Sequence, residues 1–362
     1  MVGRAKILFY ISTIRGGGAA RVMVNIANEL SKMDYIVCFV TNFPAEHEYL
    51  LSETIKRLCL EKTESMSGVV AKNLHRIIEL RKIIQKEQPQ VCISFMGENN
   101  FRLILSSIGI NTKTIISVRN DPRKEYSGIV YRIMASFLFP HADGVVFQTD
   151  DAKAFFPKYI QKKARIINNQ VDEKFFQNNL EVGKYNVACG RLSKQKNYSM
   201  MIRAFSKVVD EFPEEELWIY GEGELKNELI DLTNELGIEN SICFKGFTTN
   251  MVEVYKNAKI LVLSSDYEGM PNVMLEALAS SVPVISTDCP CGGPRMIIKN
   301  GENGYLVPVG DVDALALAWR SVLKEDQTIR SMKKAAYASS QGFRADIVLD
   351  NWEDYIKKVV NQ

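Results

Sequence analysis

The sequence predicts an α/β protein made of two doubly wound, parallel-sheet domains. Three observations carry this. Short apolar runs rich in β-branched residues alternate with helical periodicity along most of the 362 residues. The strand runs are nearly continuous in apolar character, which marks parallel strands covered on both faces. There are about two sheets' worth of them, the count for two open, doubly wound domains.

The elements follow in order. In the first half "KILFYI" (6–11), "YIVCFV" (35–40), "VCISF" (91–95), "KTIISV" (113–118) and "GVVFQ" (144–148) read as strands. In the second half "YNVACG" (185–190), "ELWIYG" (216–221), "SICFKG" (241–246), "KILVLSS" (259–265) and "VPVIST" (282–287) do the same. Helical patterns fill the gaps, among them 19–32, 69–88, 198–210, 224–236 and 312–323. A last helix spans about 345–361 and carries Trp352. The stretch 168–184 is polar, poor in core pattern and precedes a fresh strand, so a domain boundary falls there. The expected division is 1–175, 176–344, and a helix over 345–362 that returns to the first domain.

Composition narrows the class. Hydrophobic residues make up 46% of the chain, enough for two real cores. The longest apolar run, "GIVYRIMASFLF" (128–139), is interrupted by Arg132 and is too short for a membrane span. The start, "MVGRAKILFYIST", is a poor signal peptide. Seven unpatterned cysteines then point to a reducing cytoplasm. Cys289 and Cys291 flank one proline, without zinc spacing or a nearby histidine, and read as loop or core cysteines. His47, His75 and His141 attract no chemical role. Residues 1–176 hold 25 Lys and Arg against 17 Asp and Glu, the remainder 20 against 26. The first half is therefore suited to an anionic partner. No RNA-recognition, zinc-finger or Arg-rich signature points to nucleic acid.

The chemistry concentrates in "DYEGMPNVMLEAL" (266–278). A strand precedes it, a loop holds Glu268 and Gly269, and a helix follows with Pro271 at its first position, where a missing N–H costs nothing. Such a crossing lies at the carboxyl end of a parallel sheet, where open α/β folds bind ligands. Backbone N–H groups of Met270, Asn272 and Val273 at the helix start suit a phosphate, and Gly269 admits it closely. Glu276, eight positions after Glu268, is spaced to meet a diol such as a ribose. Alternatively the stretch is an ordinary strand-to-helix turn with a solvated glutamate at each end. A second cluster, "CGRLSKQKNY" (189–198), follows a strand and offers Gly190, Arg191 and Lys196. A guanidinium and an ammonium there can neutralise a diphosphate and stabilise it as a leaving group; the alternative is a solvated basic loop. A third, "STIRGGGAARVMVNIANEL" (12–30), places Gly16 and Gly17 between strand and helix, with amides for a phosphate or sugar. It is neither a P-loop nor a dinucleotide fingerprint.

Taken together, "GRLSKQKN", "YGEGEL" (220–225), "FKGF" (244–247), "SSDYEGMPNVMLEALASSVPVIST" and "NGENGYLVPVGD" (300–311) resemble, in order and spacing, the C-terminal half of the retaining family 4 glycosyltransferases. The Glu-x7-Glu pair of Glu268 and Glu276 is that family's mark, "GGGAARVMVNIANEL" resembles its first glycine loop, and "NNQVD" (168–172) its interdomain motif with Gln170 in place of glycine. The likeness extends to bacterial transferases that build capsule, O-antigen or N-glycan precursors on a lipid carrier, including N-acetylgalactosaminyltransferases. It implies the GT-B architecture, two Rossmann-like domains facing across a cleft. It also implies a UDP-sugar donor, a lipid-linked glycan acceptor and no cofactor. Carried onto this chain, Arg191 and Lys196 would bind the diphosphate. Glu268 and the amides after it would hold sugar and phosphates, Glu276 the ribose, and Lys245, Gly246 and Phe247 the base. Where the family has a sugar-contacting histidine in the first domain, this chain has Arg119 and Asn120.

No protein nucleophile is evident, so transfer with retention would run by front-face displacement, the leaving phosphate taking the acceptor's proton. Glu268 would orient the sugar. Asp311 and Asp313 precede a helix, and Asp311 reads as its N-cap rather than as a metal ligand, so no metal is expected. On the acceptor side, the helix over 69–88 sets Lys72, His75, Arg76, Lys82 and Lys86 on one stripe, with Glu79 among them. Val70, Leu74, Ile77, Ile78, Leu80 and Ile84 lie opposite. That is an ordinary surface helix, or one in which Lys72, Arg76 and Lys82 meet an anionic membrane surface or a polyprenyl diphosphate. The second reading places the protein peripherally on the inner face of the cell membrane. Two other classes stand beside a transferase: an epimerase or phosphorylase of the same architecture, and a non-catalytic sugar-binding subunit of a glycan-assembly complex.

Overall fold

Residues 5–61 and 68–362 are described by a computed structural model; residues 1–4 of the N-terminal stretch read above lie outside them. The chain divides into two units, one running up to Gln170 and including Asp346–Gln362, the other Val171–Ala345.

The first unit runs β1 (Ala5–Tyr10), α1 (Gly18–Lys32), β2 (Tyr35–Thr41), β3 (Lys56–Cys59), α2 (Val69–Glu87), β4 (Val91–Phe95), α3 (Gly97–Ser107), β5 (Lys113–Ser117), α4 (Pro122–Glu125), α5 (Ile129–Leu138), β6 (Gly144–Phe147), α6 (Asp150–Ala154), α7 (Lys158–Gln161) and β7 (Ala164–Ile166). Its seven strands pair in parallel in the order β3-β2-β1-β4-β5-β6-β7, with Ile7 opposite both Val37 and Val91. Alternate side chains divide the core between the two faces. Ile7, Phe9, Val37, Phe39, Ile93 and Phe95 join α1 on one face, and Leu8, Tyr10, Cys38, Val40 and Cys92 meet α2 and α3 on the other.

The second unit holds β8 (Tyr185–Cys189), α8 (Tyr198–Val209), β9 (Leu217–Tyr220), α9 (Lys226–Glu235), β10 (Ile242–Gly246), α10 (Met251–Lys256), β11 (Ala258–Leu263), α11 (Asn272–Ala279), β12 (Val284–Thr287), β13 (Gly304–Val307), α12 (Val312–Leu323) and α13 (Asp326–Ser340). The parallel order is β10-β9-β8-β11-β12-β13. Ala188, Ile219, Ile260, Val262 and Ile285 pack toward α8 and α12; Val187, Cys189, Leu261, Leu263 and Val284 pack toward α10 and α11. Asp311 caps α12, accepting from the Ala314 N–H at 2.9 Å. The predicted fold class is therefore borne out.

The final helix, α14 (Ala345–Val360), belongs to the first unit, where Val348, Leu349, Trp352, Tyr355, Ile356 and Val359 complete the core that α1 begins. Trp352 stacks on Phe95 with ring centroids 5.7 Å apart, and the Tyr355 hydroxyl accepts from the Val145 N–H at 2.9 Å.

Three strands escape the sequence pattern: β3, β7 and β13. All are sheet edges, and none is buried throughout. An edge strand needs no two-sided apolar run, so the signal that marks central strands is missing. Pro271 is also shifted by one place. Helix α11 begins at Asn272, and Pro271 is its extended cap residue (φ −66°, ψ 115°). Proline's fixed φ fits either position.

The expected stripe on α2 needs correction at Arg76. That side chain is buried and its Nε donates to Glu61 Oε1 at 2.6 Å, so it offers no charge to a surface. Helix α2 buries only Arg76, Leu80, Ile84 and Glu87. Val70, Leu74 and Ile78, expected opposite the basic stripe, are exposed instead. The face that turns inward is the one carrying Leu80 and Ile84, and Arg76 on it is matched by the buried Glu61 carboxylate. Lys72 is half-buried, and Lys82 is exposed and paired with Glu79 at 2.7 Å. Arg76→Ala should destabilise the protein by about 3 kcal/mol, because the lone Glu61 charge stays buried; a urea midpoint equal to the parent's would disprove the pairing.

Candidate functional site

Ligands of open parallel sheets gather where the strand order reverses, beyond the carboxyl ends of the strands. In the second unit that point lies between β8 and β11. The loops leaving these strands are the two clusters that the sequence marks out, and they are sewn together. The Asp266 N–H donates to Gln195 O at 2.9 Å, Gln195 Nε2 to Tyr267 O at 2.9 Å, and Asn197 Nδ2 to Asp266 Oδ1 at 2.8 Å. Ser264 Oγ donates to the carbonyls of Lys196 and Asn197, each at 2.8 Å.

Inside this clamp Lys196 Nζ meets Glu268 Oε1 at 2.5 Å, with side chains 19% and 12% exposed. Ser265 Oγ donates to the same carboxylate oxygen at 2.8 Å. The Glu268 backbone is held on both sides, its N–H donating to Pro290 O at 2.7 Å and its carbonyl accepting from the Cys291 N–H at 2.9 Å. The result is a fixed, partly desolvated ion pair at the mouth of α11. That helix has no side-chain cap and no acidic residue in its first turn, so no side chain of its own offsets the positive end of its dipole.

Glycines bring the loops this close. A Cβ on Gly190 would lie 3.2 Å from Lys196 Cε, and one on Gly221 would sit 1.9 Å from Gly190 O. The "YGEGEL" segment thus packs its backbone on the Arg191–Lys196 turn, with the Leu192 N–H donating to Glu222 O at 3.0 Å. Sequence reasoning named Lys196 and Glu268 but missed their supports, Ser265, Asp266, Asn197 and Gly221. The polar run "SSD" (264–266) just past a buried strand was the available signal.

The other expected residues divide. Arg191 lies in the same loop, exposed, its guanidinium making no hydrogen bond or ion pair among the described residues. Gly269 and Met270 are buried beside Glu268, and Asn272 and Val273 open α11 half-buried. Glu276 is buried on α11, and its charge reaches the end of β8: burial first, then Glu276, push the Cys189 thiol up. The segment expected to meet the base sits two strands from β8, at the edge. Phe247 is exposed, Gly246 turns at φ +71°, and Lys245 lies over the Trp218 ring at 3.5 Å. Trp218 in turn lines a 410 Å³ groove with Tyr185, Tyr220 and Asn250.

In the first unit Gly16 and Gly17, both at positive φ (67° and 84°), form the exposed turn before α1. Arg119, just past β5, is buried, lies 4.4 Å over the Phe95 ring and donates to Asn169. Burial pulls its guanidinium down to about 9, so it remains charged at neutral pH. Asn120 folds back onto the Asp121 N–H at 2.9 Å.

Comparison with known proteins agrees with this fold. Residues 170–339 match the family model for glycosyl transferases group 1. The chain is 27% identical, over 98% of its length and 99% of the relative's, to a Campylobacter jejuni GalNAc-alpha-(1->4)-GalNAc-alpha-(1->3)-diNAcBac-PP-undecaprenol alpha-1,4-N-acetyl-D-galactosaminyltransferase. Among solved structures, sucrose-phosphate synthase from Thermosynechococcus elongatus superposes with a TM-score of 0.86 at 16% identity, covering 99% of this chain and all (100%) of that one. Anabaena HepE in complex with UDP and glucose superposes at 0.80 and 16% identity, covering 98% of this chain and 100% of that one. Both structures share the fold. The chain thus has the GT-B fold, two parallel-sheet Rossmann-like units, and its residues 170–339 carry the match to group 1 glycosyltransferases.

Proposed function

We propose that the chain is a retaining, family 4 enzyme that moves a hexose or N-acetylhexosamine from a UDP-sugar to a polyprenyl-diphosphate-linked glycan, in bacterial surface polysaccharide or glycan synthesis. The observation that carries this is the Lys196–Glu268 pair at the uncapped start of α11. An ammonium at the positive end of a helix is a diphosphate site, and it stabilises that diphosphate most as the glycosidic bond breaks. Exposed Arg191 adds a second cation from the same loop. Glu268, fixed by Lys196 and Ser265, orients the sugar rather than attacking it. The acceptor hydroxyl then approaches the face that the diphosphate leaves, which takes its proton. The acceptor in the name of the Campylobacter jejuni relative, a glycan on undecaprenyl diphosphate, supports the acceptor class. The HepE complex with UDP and glucose supports the donor class. A panel of nucleotide sugars with a polyprenyl-diphosphate-linked acceptor, read by mass spectrometry and by NMR of the new anomeric linkage, tests the assignment. Inversion, or no transfer from any UDP-sugar, would refute it.

The same reading places the enzyme peripherally at the cytoplasmic face of a membrane. No helix among the described residues is long and apolar enough to cross one. Instead, Val69, Val70 and Leu74 of α2 and Ile129, Val130, Ile133 and Phe137 of α5 are exposed, an apolar surface suited to a lipid interface. Replacing Ile133 and Phe137 together by serine should lower co-sedimentation with anionic vesicles severalfold without changing the melting temperature. Unchanged sedimentation would remove the membrane assignment.

A further inference from the structure

Arg191 and Lys196 both stand on the turn that joins β8 to α8, and the far end of that turn is Tyr198, the first residue of α8. The chain reaches it through Asn197, which lies in the left-handed region at φ 45° and caps α8 by accepting from the Met200 N–H at 3.2 Å. Tyr198 is buried, and its ring belongs to the core shared by Ala188, Leu192 and Met201. As core filling, phenylalanine would serve as well and would bury no polar atom. The hydroxyl is therefore the part that calls for a reason.

That hydroxyl donates to Gly190 O at 3.2 Å, the carbonyl at the head of the turn and directly before Arg191. It also lies beside the ion pair. A Cβ on Gly190 would be 3.4 Å from Tyr198 Oη and 3.2 Å from Lys196 Cε, so the phenol and the lysine stem flank the same side of this glycine. Burial first, then Cys189 and Glu268, push the phenol well above its ordinary range, so it stays a neutral donor near neutral pH. One hydrogen bond thus ties the end of β8 to the start of α8 and closes the turn that carries both cations.

We propose that Tyr198 is a positioning residue for the transfer step, its hydroxyl fixing the Gly190 carbonyl and so the place from which Lys196 meets the departing diphosphate. This rests on the transferase reading above. Tyr198 acts through Lys196. A slightly displaced ammonium still attracts a diphosphate in the ground state, because Coulomb attraction falls slowly with distance. Alignment with charge that appears only as the bond breaks is more demanding. Loss of the hydroxyl should therefore fall on turnover rather than on donor binding.

The test uses the whole chain, with the UDP-sugar and acceptor that the panel above selects. Steady-state kinetics are measured for the parent, Tyr198→Phe, Lys196→Ala and the double variant, and melting curves establish that each is folded at the assay temperature. Tyr198→Phe removes one oxygen and keeps the ring. It should lower kcat roughly 10-fold, the scale of one hydrogen bond, with donor KM within about twofold of the parent's. In the Lys196→Ala background the same substitution should cost less than about twofold, because no cation is left there to position. Equal losses in the two backgrounds, a loss confined to KM, or a parental kcat in Tyr198→Phe overturns the proposal. A lowered melting temperature with parental kcat does so too, and assigns the hydroxyl to stability alone. If the parent transfers no UDP-sugar, the transferase reading falls and Tyr198 with it; transfer by the parent with equal losses in the two backgrounds removes only the role of Tyr198.

Discussion

Lys196→Ala is expected to lower turnover at least ~100-fold, the scale of removing one electrostatic group aimed at charge that develops in the transition state. The ammonium meets Glu268 at 2.5 Å in a partly desolvated site, so its field is weakly screened. Because charge accumulates on the departing diphosphate, the loss should fall mainly on kcat, with a smaller rise in donor KM. Glu268→Ala should do similar damage by a different route. It frees Lys196 from its fixed position and leaves Ser265 without its acceptor. Lys196→Arg should recover part of the rate, since charge is kept while the compact fit under Gly190 is lost. Steady-state kinetics on folded variants decide the matter. Near-parental turnover in Lys196→Ala or in Glu268→Ala would remove that residue from the site.

The largest effect on stability is expected far along the chain from that pair. Trp352→Ala should cost about 3–5 kcal/mol in equilibrium denaturation, the range for deleting a buried indole. Trp352 is fully buried in the first unit and stacks on Phe95. Phe95 in turn carries the Arg119 guanidinium on its ring. The vacancy should therefore loosen the seat of Arg119 as well as the core. Trp352→Phe keeps an aromatic face and should recover more than half of the loss. A denaturation midpoint for Trp352→Ala equal to the parent's would show that α14 contributes little to this core.

The ten strand runs that sequence reading picked out are all strands: nine are central, where two-sided burial favours apolar runs, and β10 is an edge strand with an apolar start, Ile242–Phe244. The edge strands β3, β7 and β13 lack that need and left no such mark. The Glu268 loop and the Lys196 turn were legible because a cation, a carboxylate and glycines just past strands are unusual where ordinary turns require none of them. Arg76 was misread because helical periodicity shows which residues share a face, while the direction of that face is set by neighbours. Here the neighbour is Glu61, fifteen positions back in the chain. The contact of Lys245 with Trp218 was hidden for the same reason, since only the packed sheet brings that ring beneath it.

Local pattern alone therefore determined the class of fold, the family likeness and the two loops that meet at the second reversal point. Tertiary structure decided which side chains touch: Lys196 with Glu268, Arg76 with Glu61, and Arg119 with Phe95. It also decided that Glu125, unremarkable in sequence, ends with one carboxylate oxygen enclosed and without a partner. The reason is physical. Strand and helix periodicity are written in neighbouring residues, whereas burial, pairing and desolvation depend on segments that meet only when the sheet order is set.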